Sequence, residues 1–401
     1  MAREYKHSGI EWIGEIPKEW IPARFRYSGC FIKGKLPATQ NNENKGFPVI
    51  GASEMLGKEP RLYTEDSNIP MCSDEDILIL WDGANAGIIA NKCKGAVSST
   101  AVKYSCTDKR FNKQYMFYLL KNAEPFFKSK VGGTTIPHMN TRYIDEYLCI
   151  LPTLSEQQKI ADYLDKVCGE VDEMIALQEQ MIEELKAYKQ SVITEAVTKG
   201  LNPDVPMKDS GIDWIGEVPE HWEIKRLKFL CSIQTGNQDT QDARQDGEYP
   251  FYVRSPKVEH SSKCSFEGEG ILMAGDGAGA GRVFHHAFGK YAVHQRVYRL
   301  SEFSIKIDTN YLFHYISSLF CKVMDMGSAQ STVPSVRLPM LLNFVVCTPH
   351  LSEQQSIASY LDTKCAEIDT LIAIKQAKID ELKEYKKSVI YEYVTGKKEI
   401  A

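Results

Sequence analysis

No stretch of this chain is long and apolar enough to cross a bilayer. Its longest apolar runs, 77–81 and 341–347, fall far short of the roughly 18 to 20 residues that a spanning helix needs. The opening MAREYKHSGI has no apolar signal core either, so the expected location is cytoplasmic and no membrane partner is expected. Cysteine is present but unpatterned: eleven residues, an odd number, with no two at CxxC or zinc-site spacing. They are expected to be reduced and mostly buried, Cys149 and Cys347 above all, because both sit in apolar strand-like segments. Catalytic signatures are missing too. There is no GxSxG, no Walker A loop and no NPPY or DPPY tetrapeptide, so the chain itself is expected to be non-catalytic, with no metal and no cofactor of its own.

What remains is the usage of an ordinary globular protein, 43% apolar and 25% charged, which excludes disorder. At 401 residues the chain exceeds what one core organises, so two or more domains are expected. The net charge of −5 is unevenly spread. Residues 21–150 carry 17 basic and 13 acidic side chains (+4) and 222–347 carry 14 and 12 (+2), whereas 155–198 carry 4 and 10 (−6) and 352–395 carry 6 and 8 (−2). The acidity lies in two segments, away from the regions that would face a polyanion.

Those two segments are part of an internal repeat. SGIEWIGEIPKEW at 8–20 returns as SGIDWIGEVPEHW at 210–222, identical at nine of thirteen positions and offset by 202. LSEQQKIADYLD at 154–165 returns as LSEQQSIASYLD at 351–362, and IEELKAYKQSVITEAVT returns as IDELKEYKKSVIYEYVT, both offset by 197. The second copy is therefore five residues shorter between the flanking motifs. The middles, 21–150 and 223–347, retain only traces: DILILWDG at 76–83 against GILMAGDG at 270–277, and Thr135-Ile136-Pro137 against Thr332-Val333-Pro334. One fold with two different surfaces is expected.

Val171, Ile175, Ile182, Leu185 and Val192 step by four and three, with Gln178 and Lys189 in register. Ile368, Ile372, Ile379, Leu382 and Val389 do the same, with Lys375 and Lys386 in the matching slots. This is a heptad seam. A helix over 170–197 would be roughly 40 Å long. Ser155 and Ser352, each three residues before a glutamine, suggest capping boxes after Pro152 and Pro349. Gly169 is the expected kink, and Gly200, Asn202-Pro203 and Gly396 are the expected terminators. Neither seam can be buried alone, so an antiparallel helix pair is expected, with a parallel pair or pairing to another chain as the alternative. The middles read as mixed α/β, with strands over 47–51, 77–81, 101–105 and 147–151 and helices over 115–121 and 311–319.

Three features imitate chemistry. GDGAGAGR at 275–282 lacks the GK[ST] ending of a phosphate loop, and the aligned WDGANAG at 81–87 points to a turn between strands. Pro203-Asp204 followed by Glu223-Ile224-Lys225 imitates a metal-dependent nuclease, yet Asp204 falls in a linker rather than on a rigid element. His285, His286 and His294 have no acidic or thiol partner at metal-ligand spacing.

The frame motifs, including the linker SVITEAVTKGLNPDVPMKDSGIDWIGEVPEHWEIKRLK, resemble the specificity subunit of a type I restriction-modification system over the whole chain. The resemblance implies an order of parts: a motif and target recognition domain 1 at 1–153, a central conserved helical region at 154–200, a linker motif and domain 2 at 201–347, and a C-terminal helical region at 348–401. It implies two similar α/β domains separated by two long helices packed as an antiparallel coiled coil, with pseudo-twofold symmetry. It also implies that each domain reads one half of a bipartite double-stranded DNA target, that the helices set the spacer, and that two methyltransferase subunits and restriction/translocase subunits are partners. S-adenosylmethionine, ATP and magnesium would then belong to those partners. Sites one helical turn apart are about 34 Å from each other, within reach of a roughly 40 Å spacer.

Base-edge readout wants Arg, Lys, Asn, Gln, Ser and Thr on loops, with Lys and Arg also on phosphates. In domain 1 the candidates are Lys33, Lys35, Gln40, Asn41, Asn42, Asn44 and Lys45 on one loop and Thr134, Thr135, His138, Asn140 and Arg142 on another. In domain 2 they are Gln234, Asn237, Gln238, Gln241 and Arg244, with His294, Gln295, Arg296, Gln330 and Ser331. The competing readings are a coiled-coil adaptor that binds protein without reading DNA, and a stand-alone nuclease or methyltransferase, for which no motif is present.

Overall fold

The computed structural model describes residues 3–10, 13–132, 137–140, 142–327 and 334–400. The chain divides into two compact units that do not follow its linear order. The first is Met1–Gln178 with Ala377–Ala401, and the second is Glu179–Gln376. Each long helix, Leu154–Lys199 and Leu351–Val394, is thus divided between the two units. Each α/β domain shares its unit with part of both helices.

In the first unit, Gly29–Lys33, Ala101–Cys106, Ile77–Leu80 and Ile89–Ala90 form an antiparallel sheet in that order. A second sheet runs Tyr63–Thr64, Phe47–Ile50, Gly95–Val97, Met71–Cys72, with its central pair parallel. The strand Ile77–Leu80 explains why its sequence is apolar throughout rather than alternating. Ile77 and Ile79 enter the main core with Tyr115 and Leu119, while Leu78 and Leu80 pack with Ile50 and Val97 on the opposite face. The second unit repeats this plan. Ser232–Thr235, Val297–Ser301, Gly270–Ala274 and Phe284–Ala287 form one sheet, and Glu259–Ser261, Tyr249–Tyr252, Lys290–Val293 and Phe266–Glu267 the other. The two middles share one fold.

The strand registers locate the length difference. Phe47 pairs with Thr64, 17 positions on (64 − 47), and Tyr249 with Ser261, 12 positions on (261 − 249). The next segment, from Thr64 to Leu78 against Ser261 to Leu272, loses three more (14 against 11). Later insertions of single residues restore the net difference of five. The short helix Ala52–Met55 lies in the longer of the shortened segments.

Two motif pairs clamp each domain onto its helix. Trp20 is buried and its indole N–H donates to Glu156 Oε2 at 2.9 Å; Trp222 does the same to Glu353 Oε1 at 3.1 Å. Gln157 is wholly buried, donates to the Arg110 and Pro152 carbonyls at 2.9 Å and accepts from the Asn112 N–H at 2.8 Å. Gln354 repeats this with Lys306, Pro349 and Asp308. A buried amide satisfied on both ends is why LSEQQ survives in both copies.

The helices begin earlier than the heptad pattern suggests. The first starts at Leu154 because Ile160, Ala161 and Leu164 are buried in the domain core rather than in the seam. It continues in helical conformation through Gly169. Ser155 and Ser352 lie inside the first turn and are not caps; the Thr153 hydroxyl accepts from the Glu156 N–H at 3.3 Å, and the His350 carbonyl accepts from Glu353 and Gln354. Gly200 and Gly396, at φ +78° and +70°, terminate the helices.

Of the seam residues, Val171, Ile182, Ile368, Ile379, Leu382 and Val389 are buried, while Ile175, Leu185, Val192, Ile372, Gln178 and Lys375 are half-buried. In the first unit Lys386 reaches Asp172 at 2.6 Å, and Tyr163 packs against Tyr393 with the rings tilted and their centroids 4.5 Å apart. In the second unit Lys189 reaches Asp369 at 2.7 Å, and Tyr360 shares a groove with Val192 and Ala196. Within each unit, advance along one helix meets retreat along the other, so the segments run antiparallel. Lys189 and Lys386 are thereby matched to aspartates instead of being buried unpaired. Cys149 and Cys347 are fully buried and burial pushes both thiols up, whereas Cys30 and Cys264 are exposed. Among the described residues no helix is long and apolar enough to cross a membrane.

Candidate nucleic-acid interface

In both units a strand of the first sheet ends in an Asp-Gly turn held by the same backbone hydrogen bonds. Gly83 N–H donates to the Pro137 carbonyl at 2.9 Å and Gly277 N–H to the Pro334 carbonyl at 3.0 Å. Met139 donates to Trp81 and Val336 to Gly275, so the loop that follows each proline is tied to the same turn. Gly87 and Gly281 close the turns by donating to Leu80 and Ala274, at φ +91° and +64°. A Cβ at Gly87 would lie 2.9 Å from the Lys128 backbone nitrogen, and one at Gly281 2.8 Å from the Met324 side chain. The glycine-rich GDGAGAGR stretch is therefore shaped by left-handed φ and by close approach to a helix.

The aspartate of each turn gathers basic side chains from distant segments. Asp82 accepts from Lys33 Nζ at 3.2 Å and pairs closely with His138 Nδ1. Asp276 pairs through one oxygen with Arg254 at 2.8 Å and through the other with Arg296 at 2.5 Å. Burial works to raise the Asp276 carboxyl, but the hydrogen bonds from Arg296 and Arg254 outweigh it and hold it below the ordinary aspartate value. An open depression of about 340 Å³ beside it is lined by Thr240, Arg254, Ser255, Asp276, Gly277 and His294.

The sequence candidates fall into three groups. Lys33, Lys35, Asn42, Lys45, His138, Asn140 and Arg142 in the first unit, and Gln234, Asn237, Arg244, Gln295 and Arg296 in the second, are exposed. Several are already engaged: Lys45 with Glu43 at 2.6 Å, Arg142 with Glu146 at 2.5 Å, Gln295 with Asp239 at 3.0 Å. Three others are hydrogen-bonded within the protein. Gln238 is 8% exposed, donates to the Lys263 carbonyl and Ser265 hydroxyl and accepts from Ser261. His294 is 2% exposed and its Nδ1 accepts the Arg296 N–H. Asn41 accepts from the Glu43 and Lys45 N–H groups and so organises its own loop. Thr134, Thr135, Gln330 and Ser331 lie outside the described residues.

Arg254, Asp82 and Asp276 escaped the sequence reading. The recurrence of Asp-Gly at the same place in both copies was the available signal for the two aspartates; Arg254 had none, since its position in the first unit carries Ala52. Among the described residues no group of three or more His, Cys, Asp or Glu is placed to hold a metal ion. His285 and His286 instead contact the Ser255 carbonyl and Glu269, and Asp204 is exposed in the linker.

A duplicated α/β domain presenting polar loops beside paired long helices defines a class of modular recognition protein. The model of the type I restriction modification DNA specificity domain matches residues 28–187 and again 219–384, and the chain belongs to that family. It is a specificity subunit, the non-catalytic part of such a system. The type I restriction enzyme MjaVIII specificity subunit of Methanocaldococcus jannaschii is 29% identical over 95% of this chain and 93% of its own length. The EcoDI specificity subunit of Escherichia coli is also 29% identical, over 44% of this chain and 38% of its own. A solved structure described as the basis of complex assembly and conformational transition of the type I restriction-modification system superposes with a TM-score of 0.69, covering 94% of this chain and 98% of its own at 16% identity.

Proposed function

We propose that this chain directs a multisubunit type I complex to a bipartite double-stranded DNA target, each recognition domain reading one half-site. The observation that carries this reading is the pair of Asp-Gly turns: one scaffold, with Lys33 and His138 gathered in one unit and Arg254 and Arg296 in the other. A shared backbone with different donors is what two independent base sequences require. Two methyltransferase subunits dock on the helices and restriction/translocase subunits add to them. Those partners hold the S-adenosylmethionine, ATP and magnesium, which agrees with the lack of catalytic motifs in this sequence. The length of the helices sets the number of base pairs between half-sites.

The test is a domain exchange in the assembled enzyme. Replacing residues 21–150 by another family member's domain changes one half of the methylated motif and leaves the other half and the spacer intact. A change in both halves would falsify independent reading. Duplex binding by the complex with no dependence on salt would favour a protein adaptor instead.

A further inference from the structure

We propose that Asp276 is a positioning residue that presents Arg254 and Arg296 to a guanine in the half-site read by the second domain, an inference that rests on the function proposed above. The two arginines come from separate segments, one just beyond the strand Tyr249–Tyr252 and one just before Val297–Ser301. They converge because the carboxylate offers one oxygen to each. Each guanidinium engages it through a single terminal nitrogen among the described residues, and the side chains stay 41% and 61% exposed. A guanidinium carries five N–H donors in a rigid plane, so an unused edge on each faces outward with its long stem already ordered.

The charge at the centre decides what that edge can meet. Asp276 is only 16% exposed and neutralises part of the charge of the two arginines, so the cluster attracts a phosphate less than two free arginines would. A base edge is held by the geometry of the guanidinium fork rather than by that net charge. Arginine only donates, and guanine alone presents two acceptors, N7 and O6, side by side in the major groove. The first unit builds the same holder around Asp82 but loads it with Lys33 and His138. A lysine is a point charge with no fork, and the position matching Lys33 in the second unit is Thr235. The holder is common to both units and its cargo differs.

The experiment uses the complex of this chain with its methyltransferase partner. The methylated motif is mapped in cellular DNA, and binding is measured to duplexes carrying guanine or 7-deazaguanine, which lacks the N7 acceptor, in the second half-site. Arg254→Ala and Arg296→Ala each relax a guanine position there, with roughly 10- to 100-fold less discrimination, and leave the first half-site unchanged. Arg296→Lys keeps the charge and loses the same discrimination. Asp276→Asn blurs that position while binding to non-target duplex is retained, and Asp276→Glu restores it. Deazaguanine weakens the parent complex and not the arginine variants.

A second half-site with no guanine on either strand overturns the proposal. So does an unchanged motif in both alanine variants. Equal weakening on every sequence, with a salt slope shallower by about one per arginine, assigns these residues to phosphates and overturns it as well. If exchanging residues 222–347 fails to change the half-site, the broader reading fails; if it does so while the arginine variants do not, only this inference falls.

Discussion

At Gln157 and Gln354 the two units are interchangeable, and at Ser98 and His294 they are not. The first pair makes the same three buried hydrogen bonds in each unit. The second pair occupies one backbone position, where each N–H donates to the end of the neighbouring strand, yet one side chain is a small hydroxyl and the other a buried imidazole. Identity is kept where a side chain satisfies backbone groups that the fold cannot leave unpaired. It is released where the side chain looks toward the loops. Duplication has thus preserved the accounting of buried polar groups and varied the surface around it.

Substitutions can break this comparison. The largest expected effect is at the clamps: Trp20→Ala and Trp222→Ala each cost about 3 to 5 kcal/mol, through the lost indole and the cavity left behind. Each loss should fall on its own unit, as read by hydrogen exchange. Gln157→Ala and Gln354→Ala follow at about 2 to 3 kcal/mol each, since three partners lose their hydrogen bonds. Measurably unequal costs would show that the frame is less symmetric than its geometry.

The turns sharpen the contrast. Gly87→Ala and Gly281→Ala both place a side chain at positive φ and cost at least about 1 kcal/mol. Gly87→Ala should cost more, because its new Cβ meets the Lys128 backbone while that of Gly281 meets the movable Met324 and Phe320 side chains. Thermal melts of the two variants decide the order.

Acid separates the units by a different route. Burial depresses the pKa of His285 and His294, both in the second unit, below the ordinary histidine value. In the unfolded chain these groups take up protons near pH 6.5 and in the folded chain only at lower pH. Their contribution to stability is therefore full above about pH 6.5 and is lost as pH falls toward the folded pKa. The first unit has Ala90 and Ser98 at these places, so its hydrogen-exchange protection factors, corrected for the intrinsic pH dependence of exchange, should hold steady between pH 7 and 5 while those of the second unit fall. His294→Ser should flatten the difference. The smallest effects belong to the exposed helix pairs. Asp172→Ala and Asp369→Ala should each cost no more than about 1 kcal/mol, and the difference should shrink at 1 M salt.

Much of this architecture could be read in one dimension. The two offsets, 202 and 197, announced the duplicated frame, and the strands over 47–51, 77–81, 101–105 and 147–151 match Phe47–Ile50, Ile77–Leu80, Ala101–Cys106 and Leu148–Leu151. Helix onset just after Pro152 and Pro349 was legible too, whereas the heptad count begins later because Ile160 and Leu164 serve a domain core. The interface was harder. Gln238 and His294 look like loop donors in sequence, and only burial reveals that they hold the loop together.

The sequence by itself determined the duplication, the seam and the family, because repeated motifs and helical periods are local properties of a string. Tertiary structure decided how each helix is divided between units and which basic side chains share a carboxylate. Lys33, Asp82 and His138 come from three separated segments, as do Arg254, Asp276 and Arg296. Their meeting depends on strand register and on the proline loop tied to the Asp-Gly turn, and no local spacing encodes either.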